Sequence, residues 1–425
     1  MSGKGPGRAG ESGSRKKPFR LSKLLLIKIK NEGQLGAETT HFGPVGVKNV
    51  MQTDLFLPVL NAPEIARPLA PAEAGAPRTH GAKLWQPQRV LFTPDALQEE
   101  YGQQILARAQ ALNLPIELLK SNRLTGLRGA DERATYRTAK TTLAVVNAPA
   151  GALRLQPTPP SADYQLNLAE GCPAHCQYCY LAGSLSGPPV VRAFANLPKL
   201  LQNTQLYERA DRPVSFEASC YTDVLGIEHL TGALAETVRY FAGREGARLR
   251  FVSKYDHVDS LLGLPHQGHT RARASLNAEP LARQLEGGTA SIEARIQALR
   301  RLALPVAQGG GGYPVGVLLA PIMPLPDWQR HYGELFDRLQ AAFDFDCDLT
   351  VEFVTHRFTP GSKEVLLGWY PNTSLDLDES TRAVKRNKFG GLKYVYDLPT
   401  MKELKAWFYS EWQRRFPHAP VQYWT

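Results

Sequence analysis

After residue 160, apolar segments of four to six residues alternate with segments whose apolar residues recur at helical spacing. Strands and helices that alternate in this way form a parallel sheet with right-handed crossovers. The pattern therefore predicts an α/β fold. The predicted strands are Tyr164–Leu168, Val214–Ala218, Leu249–Val252, Arg271–Leu276, Val315–Leu319 and Leu349–Val354.

Helical patterns lie between these strands, for example at Leu230–Phe241, Ile292–Leu302 and Trp328–Ala342. Six strand–helix units suit an open, partial (β/α)6 barrel. A smaller α/β region comes first in the chain. Its predicted elements are the strands Arg89–Phe92 and Thr141–Val146 and the helix Asp95–Leu112.

Composition and pattern divide the chain into four predicted parts. Residues 1–84 are a basic tail and a Pro/Ala-rich linker, which we expect to be disordered or extended. Residues 85–160 are the N-terminal α/β region, and residues 161–365 are the partial barrel. Residues 366–425 are a C-terminal region that contains a β-hairpin.

The net charge of +10 is concentrated in the tail, because residues 1–30 hold nine basic residues and one Glu. The remaining chain carries only +2, so a nucleic-acid groove would require local clustering. The tail fits either an arm on DNA phosphates or a solvated segment. No apolar run approaches the roughly 20 residues that span a bilayer, and no secretory signal is visible. We therefore expect a cytoplasmic protein with no membrane partner.

Three cysteines lie on one short loop, at Cys172, Cys176 and Cys179. This spacing lets three thiols bind one face of a cubic iron–sulfur cluster and leaves the fourth iron open. An open iron can bind a substrate or cofactor. The spacing is typical of enzymes that cleave S-adenosylmethionine to make a radical.

Two other interpretations of these cysteines use the same residues. With His175 they offer four ligands to a structural zinc, although such sites usually come as two separated ligand pairs. A disulfide framework is disfavoured, because the chain has an odd number of cysteines, five in 425 residues. We interpret Cys347 as an ordinary core thiol.

Polar residues follow most of the predicted strands. Catalytic residues of such barrels lie where the strands end, at the C-terminal face of the sheet. A single Lys or Cys at such a position carries little weight, but their joint placement predicts one site. The residues at or after strand ends are Cys172, Cys220, Thr222, Lys254, Ser275, Asn277, His356 and Arg357.

From about residue 85 to its end, the chain resembles the spore photoproduct lyase family, radical S-adenosylmethionine enzymes that repair DNA. The likeness covers roughly four-fifths of the chain, and the first 84 residues have no recognised counterpart. Several long motifs in the same order make it more specific than the cysteine loop alone. These motifs are Gly171–Leu181, Phe216–Cys220, Gly226–Thr231, Val252–Asp259, His356–Thr359 and Val421–Thr425.

The resemblance implies a [4Fe–4S] cluster on Cys172, Cys176 and Cys179 that delivers one electron to S-adenosylmethionine. The amino and carboxylate groups of this cofactor chelate the open iron. The resulting 5′-deoxyadenosyl radical abstracts a hydrogen from C6 of 5-thyminyl-5,6-dihydrothymine, and the bond between the two thymines breaks. A flavodoxin or ferredoxin is implied as the electron donor.

The resemblance also implies roles for single residues. Cys220 resembles the hydrogen donor that quenches the thymine radical, and its weak S–H bond suits that role. Tyr178 and Tyr180 resemble tyrosines that help to pass the radical back, whereas packing beside the cluster is the alternative. The positions near the cofactor are those of Thr222, Lys254 and Ser275.

The segment Thr381–Tyr396 is basic, lacks acidic residues and has a Gly390–Gly391 turn signal, which predicts a hairpin. Such a hairpin either binds double-stranded DNA and helps to extrude the thymine photolesion, or is a solvated edge. The family's DNA-inserting hairpin lies at the corresponding place. The residues predicted to bind DNA are Arg382, Lys385, Arg386, Lys388, Phe389, Lys393, Tyr394 and Arg357.

Three functions remain open at this point. The first is a lyase that reverses the spore photoproduct. The second is a related radical enzyme that acts on another nucleic-acid lesion or base. The third is a zinc-stabilised nucleic-acid-binding protein without catalysis.

Overall fold

The structure is a computed structural model. It describes residues 83–185, 187–386 and 390–425, apart from the side chains of Tyr180 and Leu181. The predicted basic tail and most of the linker lie outside the described residues, as do Lys388 and Phe389 of the hairpin. No helix in the described part of the chain is long and apolar enough to cross a bilayer.

The strands fall into two main sheets and two short pairings. In chain order they are β1 (Arg89–Phe92), β2 (Ile116–Leu118), β3 (Thr142–Val146), β4 (Pro157–Thr158), β5 (Ala162–Leu166), β6 (Ala169–Glu170), β7 (His175–Cys176), β8 (Val191–Phe194), β9 (Val214–Ala218), β10 (Ala247–Ser253), β11 (Thr270–Leu276), β12 (Glu286–Gly287), β13 (Val315–Ile322), β14 (Leu349–Thr355), β15 (Ala383–Arg386), β16 (Leu392–Val395) and β17 (Val421–Trp424).

The α-helices lie mostly between the strands of the larger sheet. In chain order they are α1 (Glu100–Ala111), α2 (Glu132–Lys140), α3 (Leu197–Asn203), α4 (Glu228–Thr231), α5 (Ala233–Ala242), α6 (Glu279–Leu285), α7 (Ile292–Ala303), α8 (Trp328–Ala342), α9 (Pro360–Trp369) and α10 (Leu398–Arg415).

The larger sheet has the order β17-β14-β13-β11-β10-β9-β5-β4. The six predicted strands are neighbours in chain order, and every pair among them is parallel. Alternate residues of β10 are buried, as expected when one face of a strand packs on helices. The prediction of a mixed α/β fold with a parallel sheet is therefore confirmed.

The smaller sheet has the order β2-β1-β3-β8-β6. Strand β6 pairs antiparallel with β8 and leads directly into the cysteine loop. Gly171 makes this turn with φ +73°, and a Cβ there would lie 2.2 Å from the carbonyl oxygen of Val190. Only glycine permits so close a backbone approach at a positive φ. The smaller sheet therefore sets where the cysteines begin.

Most predicted elements differ from the structure by one to three residues at an end, and three of them differ by a shift or an interruption. The first strand of the larger sheet begins and ends two residues earlier than predicted, at Ala162–Leu166. The predicted helix Leu230–Phe241 is interrupted at Gly232, where φ is +69°. The predicted helix Asp95–Leu112 is interrupted at Glu99, whose backbone is extended. Strand pairing also links the predicted parts of the chain, because β8 joins the smaller sheet and β17 joins the larger one.

One face of the larger sheet carries a buried ion network. The Arg273 guanidinium lies 2.6 Å from Glu352 and also contacts Glu217. Arg250 binds the second oxygen of Glu352. Strands β9 and β14, which carry the two acids, are four strand spacings apart, about 19 Å in a flat sheet at roughly 4.8 Å per strand. Contact of one guanidinium with both acids favours a sheet curled toward this face.

The same network is joined from the two edges of the sheet. Ser161, between β4 and β5, donates its hydroxyl to Glu217 at 2.7 Å. Tyr423, on β17, donates its hydroxyl to Glu352 at 2.9 Å. Buried charges stabilise a fold only when they are paired and hydrogen-bonded. These hydrogen bonds and ion pairs therefore stabilise the curvature of the larger sheet below the C-terminal ends of its strands.

We predict that Glu352→Gln destabilises the protein by about 3–5 kcal/mol, because it leaves two buried guanidinium groups with one fewer counter-ion. Equilibrium urea unfolding measures this loss. Glu236→Gln is the matched control, because its partner Arg239 and its own side chain are both 47% exposed. An exposed pair of this kind contributes about 0–1 kcal/mol. Equal losses in the two variants would contradict a structural role for the network.

Candidate active site

The three cysteines lie on one loop that is fixed at both ends. The chain enters the loop from β6, and β7 pairs antiparallel with β12, with Cys176 opposite Glu286. None of the five cysteines of the chain forms a disulfide in this structure. The pairing of β7 with β12 attaches the loop to the region that follows α6.

The cysteine loop is strongly desolvated. Burial raises the pKa of Cys172 to about 11, and it raises the pKa of Cys176 still further. Each of these thiols lies within electrostatic range of the other two loop cysteines. Lys140 lowers the pKa of Cys172 and Lys254 lowers that of Cys176, so the two cations favour the thiolates that bind metals.

These thiols fit a cluster better than a single ion. In the described part of the chain, no three His, Cys, Asp or Glu side chains surround a point where one metal ion would bind. A cubic cluster binds each thiolate through a different iron. The three sulfur atoms therefore need to lie on the same loop, but they do not need to converge on one point as the ligands of a single ion do. His175, the fourth ligand of the zinc interpretation, has its Nδ1 atom 2.8 Å from the Tyr136 hydroxyl.

Helix α2 supports the cysteine loop through hydrogen bonds from two of its side chains. The ammonium group of Lys140 is buried and donates to the carbonyl oxygens of Cys172 and Ala174. Tyr136 lies one turn earlier on the same helix and bonds His175 and Tyr370. The sequence analysis did not identify Tyr136 or Lys140. Their spacing of four residues at the end of an amphipathic helix is a signal that both face inward.

Glu286 connects the cysteine loop to the ends of the strands. Its carboxylate lies 2.9 Å from Lys254 and 2.6 Å from Arg295, and it accepts a hydrogen bond from Tyr178. The Lys254 ammonium also donates to the hydroxyls of Tyr178 and Ser275, both at 3.0 Å. The structure thus brings together three predicted site residues from three separate segments.

The two cations beside Glu286 set its ionisation state. Burial alone would raise the pKa of Glu286, but Arg295 and Lys254 lower it to about 2. Burial and the nearby carboxylate raise the pKa of Tyr178 well above its usual value. Glu286 is therefore an anion and Tyr178 a protonated phenol. Neither Glu286 nor Arg295 follows a predicted strand, which is why the sequence analysis missed them.

The loop after β9 carries a polar atom that lacks a partner. Asp223 accepts hydrogen bonds from the Ser253 hydroxyl and the Lys254 backbone N–H, both at 2.7 Å, and so joins this loop to the end of β10. The hydroxyl oxygen of Thr222 is buried and has no hydrogen-bond partner within the described residues. A buried polar atom in this state fits a bound polar ligand.

Cys220 occupies the same loop. Ser219 has φ +57°, which is uncommon outside glycine, and turns the chain sharply as it leaves β9. Burial and Glu217 raise the pKa of Cys220 to about 12, although the Thr158 side chain bonds the thiol and lowers the pKa. Cys220 therefore stays protonated at neutral pH. Tyr180 begins the short turn Tyr180–Gly183, and its side chain lies outside the described residues.

The predicted basic hairpin forms from β15 and β16. Phe358, just after β14, exchanges two backbone hydrogen bonds with Tyr394, and their rings stack at 5.2 Å. The hairpin is thus attached to the C-terminal end of β14, on the side of the sheet that holds the predicted site.

The cations of the hairpin occupy different environments. Lys385 lies directly opposite Lys393 across the hairpin. Burial lowers the pKa of Lys393, and Arg357 and Lys385 lower it further, so these three cations are close together. Arg386 is exposed. Arg382, by contrast, has a side chain only 1% exposed and pairs with Asp376 at 3.0 Å.

Comparison with known proteins identifies the family. The spore photoproduct lyase family model matches residues 85–425. Spore photoproduct lyase of Geobacillus sp. (strain Y412MC61) is 40% identical over 348 residues, which cover 81% of this chain and 100% of that protein. The Bacillus subtilis (strain 168) enzyme is 36% identical and matches over 80% of this chain and 98% of its own length.

Solved structures give the same result. A mutant spore photoproduct lyase with bound AdoMet and dinucleoside spore photoproduct has a TM-score of 0.76 and 38% sequence identity to this chain. The match covers 81% of this chain and 100% of the other. The chain therefore belongs to the spore photoproduct lyase family.

Proposed function

We propose that this protein repairs DNA by splitting 5-thyminyl-5,6-dihydrothymine, the spore photoproduct, into two thymines. One observation carries the proposal: Glu286 lies opposite Cys176 on the three-cysteine loop and, with Lys254, holds the Tyr178 hydroxyl, while Lys254 also bonds Ser275. Relatives at 36–40% identity are spore photoproduct lyases. A related radical enzyme for another lesion or base is the alternative, because the family model does not match the first 84 residues.

Cys172, Cys176 and Cys179 would hold a [4Fe–4S] cluster, and Thr222, Lys254 and Ser275 would contact S-adenosylmethionine. When bound, the two groups together supply the radical that removes one hydrogen atom from the lesion. The larger sheet would be a partial (β/α)6 barrel, with these residues at the ends of its strands. An external one-electron carrier of the flavodoxin or ferredoxin class would reduce the cluster.

Cys220 would return a hydrogen atom to the repaired thymine. A donor of this kind must keep its S–H bond, and burial keeps the thiol protonated. The Thr158 hydroxyl bonds the sulfur and would orient it. Tyr178 and Tyr180 would help to pass the radical back. Lys254 and Glu286 would hold the Tyr178 phenol in position, since both contact its hydroxyl.

The hairpin would bind the phosphates of double-stranded DNA beside the lesion. Like charges directly opposite each other in a hairpin destabilise it, yet Lys385 faces Lys393, and Arg357 also lies within electrostatic range of Lys393. An anion that bound all three would relieve this repulsion, and a phosphate has the required charge. The hairpin would then help to extrude the dinucleotide, because stacking hides the reacting carbon.

The first prediction from the proposed function concerns Cys220. After anaerobic reconstitution, with dithionite, S-adenosylmethionine and an oligonucleotide that contains the lesion, Cys220→Ala should still form 5′-deoxyadenosine but release misquenched thymine products. The parent protein should release two thymines. Cys347→Ala, which removes a thiol outside the site, is the matched control and should behave as the parent. A normal thymine yield from Cys220→Ala would remove its role as donor.

The second prediction concerns the support of the cysteine loop. Lys140→Met leaves the carbonyls of Cys172 and Ala174 buried without a donor, which costs roughly 1–3 kcal/mol per group. We expect fewer irons per chain after anaerobic reconstitution and faster loss of the cluster in air. Arg137→Met, on the exposed side of the same helix, should keep the parent's iron content. Full iron content in Lys140→Met would contradict this role.

The third prediction concerns the hairpin charges. Lys385→Ala should reduce the slope of log affinity for lesion DNA against log salt by about 0.9, the value for one lost phosphate contact. Because it removes a like-charge pair, the free energy of unfolding should stay constant or rise by up to about 0.5 kcal/mol. Lys402→Ala, an exposed charge on α10, should leave the slope unchanged. An unchanged slope in Lys385→Ala would exclude the residue from the DNA interface.

A further inference from the structure

Arg382 and Tyr396 form a pair at the two ends of the hairpin. Arg382 immediately precedes β15, and Tyr396 immediately follows β16. The guanidinium carbon of Arg382 lies 3.9 Å from the centre of the Tyr396 ring and 5.7 Å from that of Phe358. This stacking connects the two ends of the hairpin to each other and to Phe358, three residues beyond the end of β14.

The environment of Arg382 is mostly apolar. It lines a cavity that is also lined by Leu285, Met323, Leu325 and Leu375. A charge in such a place requires a counter-ion, because removal of one partner of a buried pair costs several kcal/mol. The ion pair at this position is with Asp376, whose carboxylate lies 3.0 Å from Arg382 and is half exposed.

We infer that Arg382 is a positioning residue, with Asp376 as its counter-ion, that sets the angle of the hairpin over the strand ends. This inference rests on the proposed role of the hairpin in DNA binding. It replaces the phosphate contact predicted for Arg382 from sequence, because a side chain 1% exposed does not reach a phosphate on the surface. Asp376 belongs to the segment between α9 and β15, which thereby supports the hairpin.

Substitution of Asp376 distinguishes the two roles by the sign of the effect. If Arg382 contacted a phosphate, Asp376→Asn would remove a competing anion and tighten DNA binding. If Arg382 positions the hairpin, Asp376→Asn leaves the guanidinium without its counter-ion, and the hairpin loses its fixed angle. We expect the Kd for a duplex with one lesion to rise about tenfold, equivalent to about 1.4 kcal/mol. The salt slope should not change, because no phosphate contact is lost.

A second substrate separates positioning from general damage. Turnover of the dinucleoside spore photoproduct, which has no flanking duplex, should stay within about twofold of the parent in Asp376→Asn. Arg382→Lys should share the loss on duplex DNA, because an ammonium group keeps the charge but not the planar stacking on Tyr396. If Arg382→Lys retained full duplex affinity, charge alone would suffice and the positioning role would be excluded.

Control variants distinguish a failure of the Arg382 positioning role from a failure of the proposed function. Arg386→Ala, on the exposed part of the same hairpin, should lower the salt slope by about 0.9. If Arg386→Ala and Lys385→Ala both left the slope unchanged, the DNA role of the hairpin would fail. If they lowered it while Asp376→Asn tightened duplex binding or left it unaltered, the positioning role of Arg382 alone would be overturned.

Discussion

The carboxylate of Glu286 connects the cysteine loop to the end of β10 and to α7. It lies opposite Cys176 through the β7–β12 pairing, and it binds Lys254 from the end of β10 and Arg295 from α7. Two cations keep it ionised in a buried position. An ionised carboxylate in that place holds the Tyr178 phenol and the Lys254 ammonium at one point beside the thiols. The chemistry we propose depends on that arrangement.

Arginine–carboxylate ion pairs occur at three places in this structure. Arg273 and Arg250 pair with Glu217 and Glu352 below the strand ends, where they favour the curvature of the sheet. Arg295 pairs with Glu286 at the level of the cysteine loop. Arg382 pairs with Asp376 under the hairpin. Guanidinium groups suit these places because they stay charged and bind in a planar, directional way. In each case the pair fixes a segment that we propose supports the active site or the hairpin.

Hydrophobic and polar periodicity was sufficient to predict most of the larger sheet. The bounds of β9 and α8 were predicted correctly, because their apolar residues repeat with the periods of a strand and a helix. The helix after β9 was predicted as one element, yet Gly232 divides it. A glycine inside a helical pattern is compatible with either outcome, and packing of the flanking helices decides. The short strands β6, β7 and β12 were not predicted, since two residues contain no period.

The sequence by itself determined the parallel sheet and the family, and it predicts the cluster ligands, because these depend on local spacing and on motif order. Only the tertiary structure decided which charges are buried. Arg382 and Arg386 look equivalent in a basic segment, yet one is enclosed beside Asp376 and the other faces solvent. Lys140 and Glu286 carry no local signal of the partners described above, which lie between 9 and 108 residues away. Electrostatic pairing acts through space, and the fold alone sets those distances.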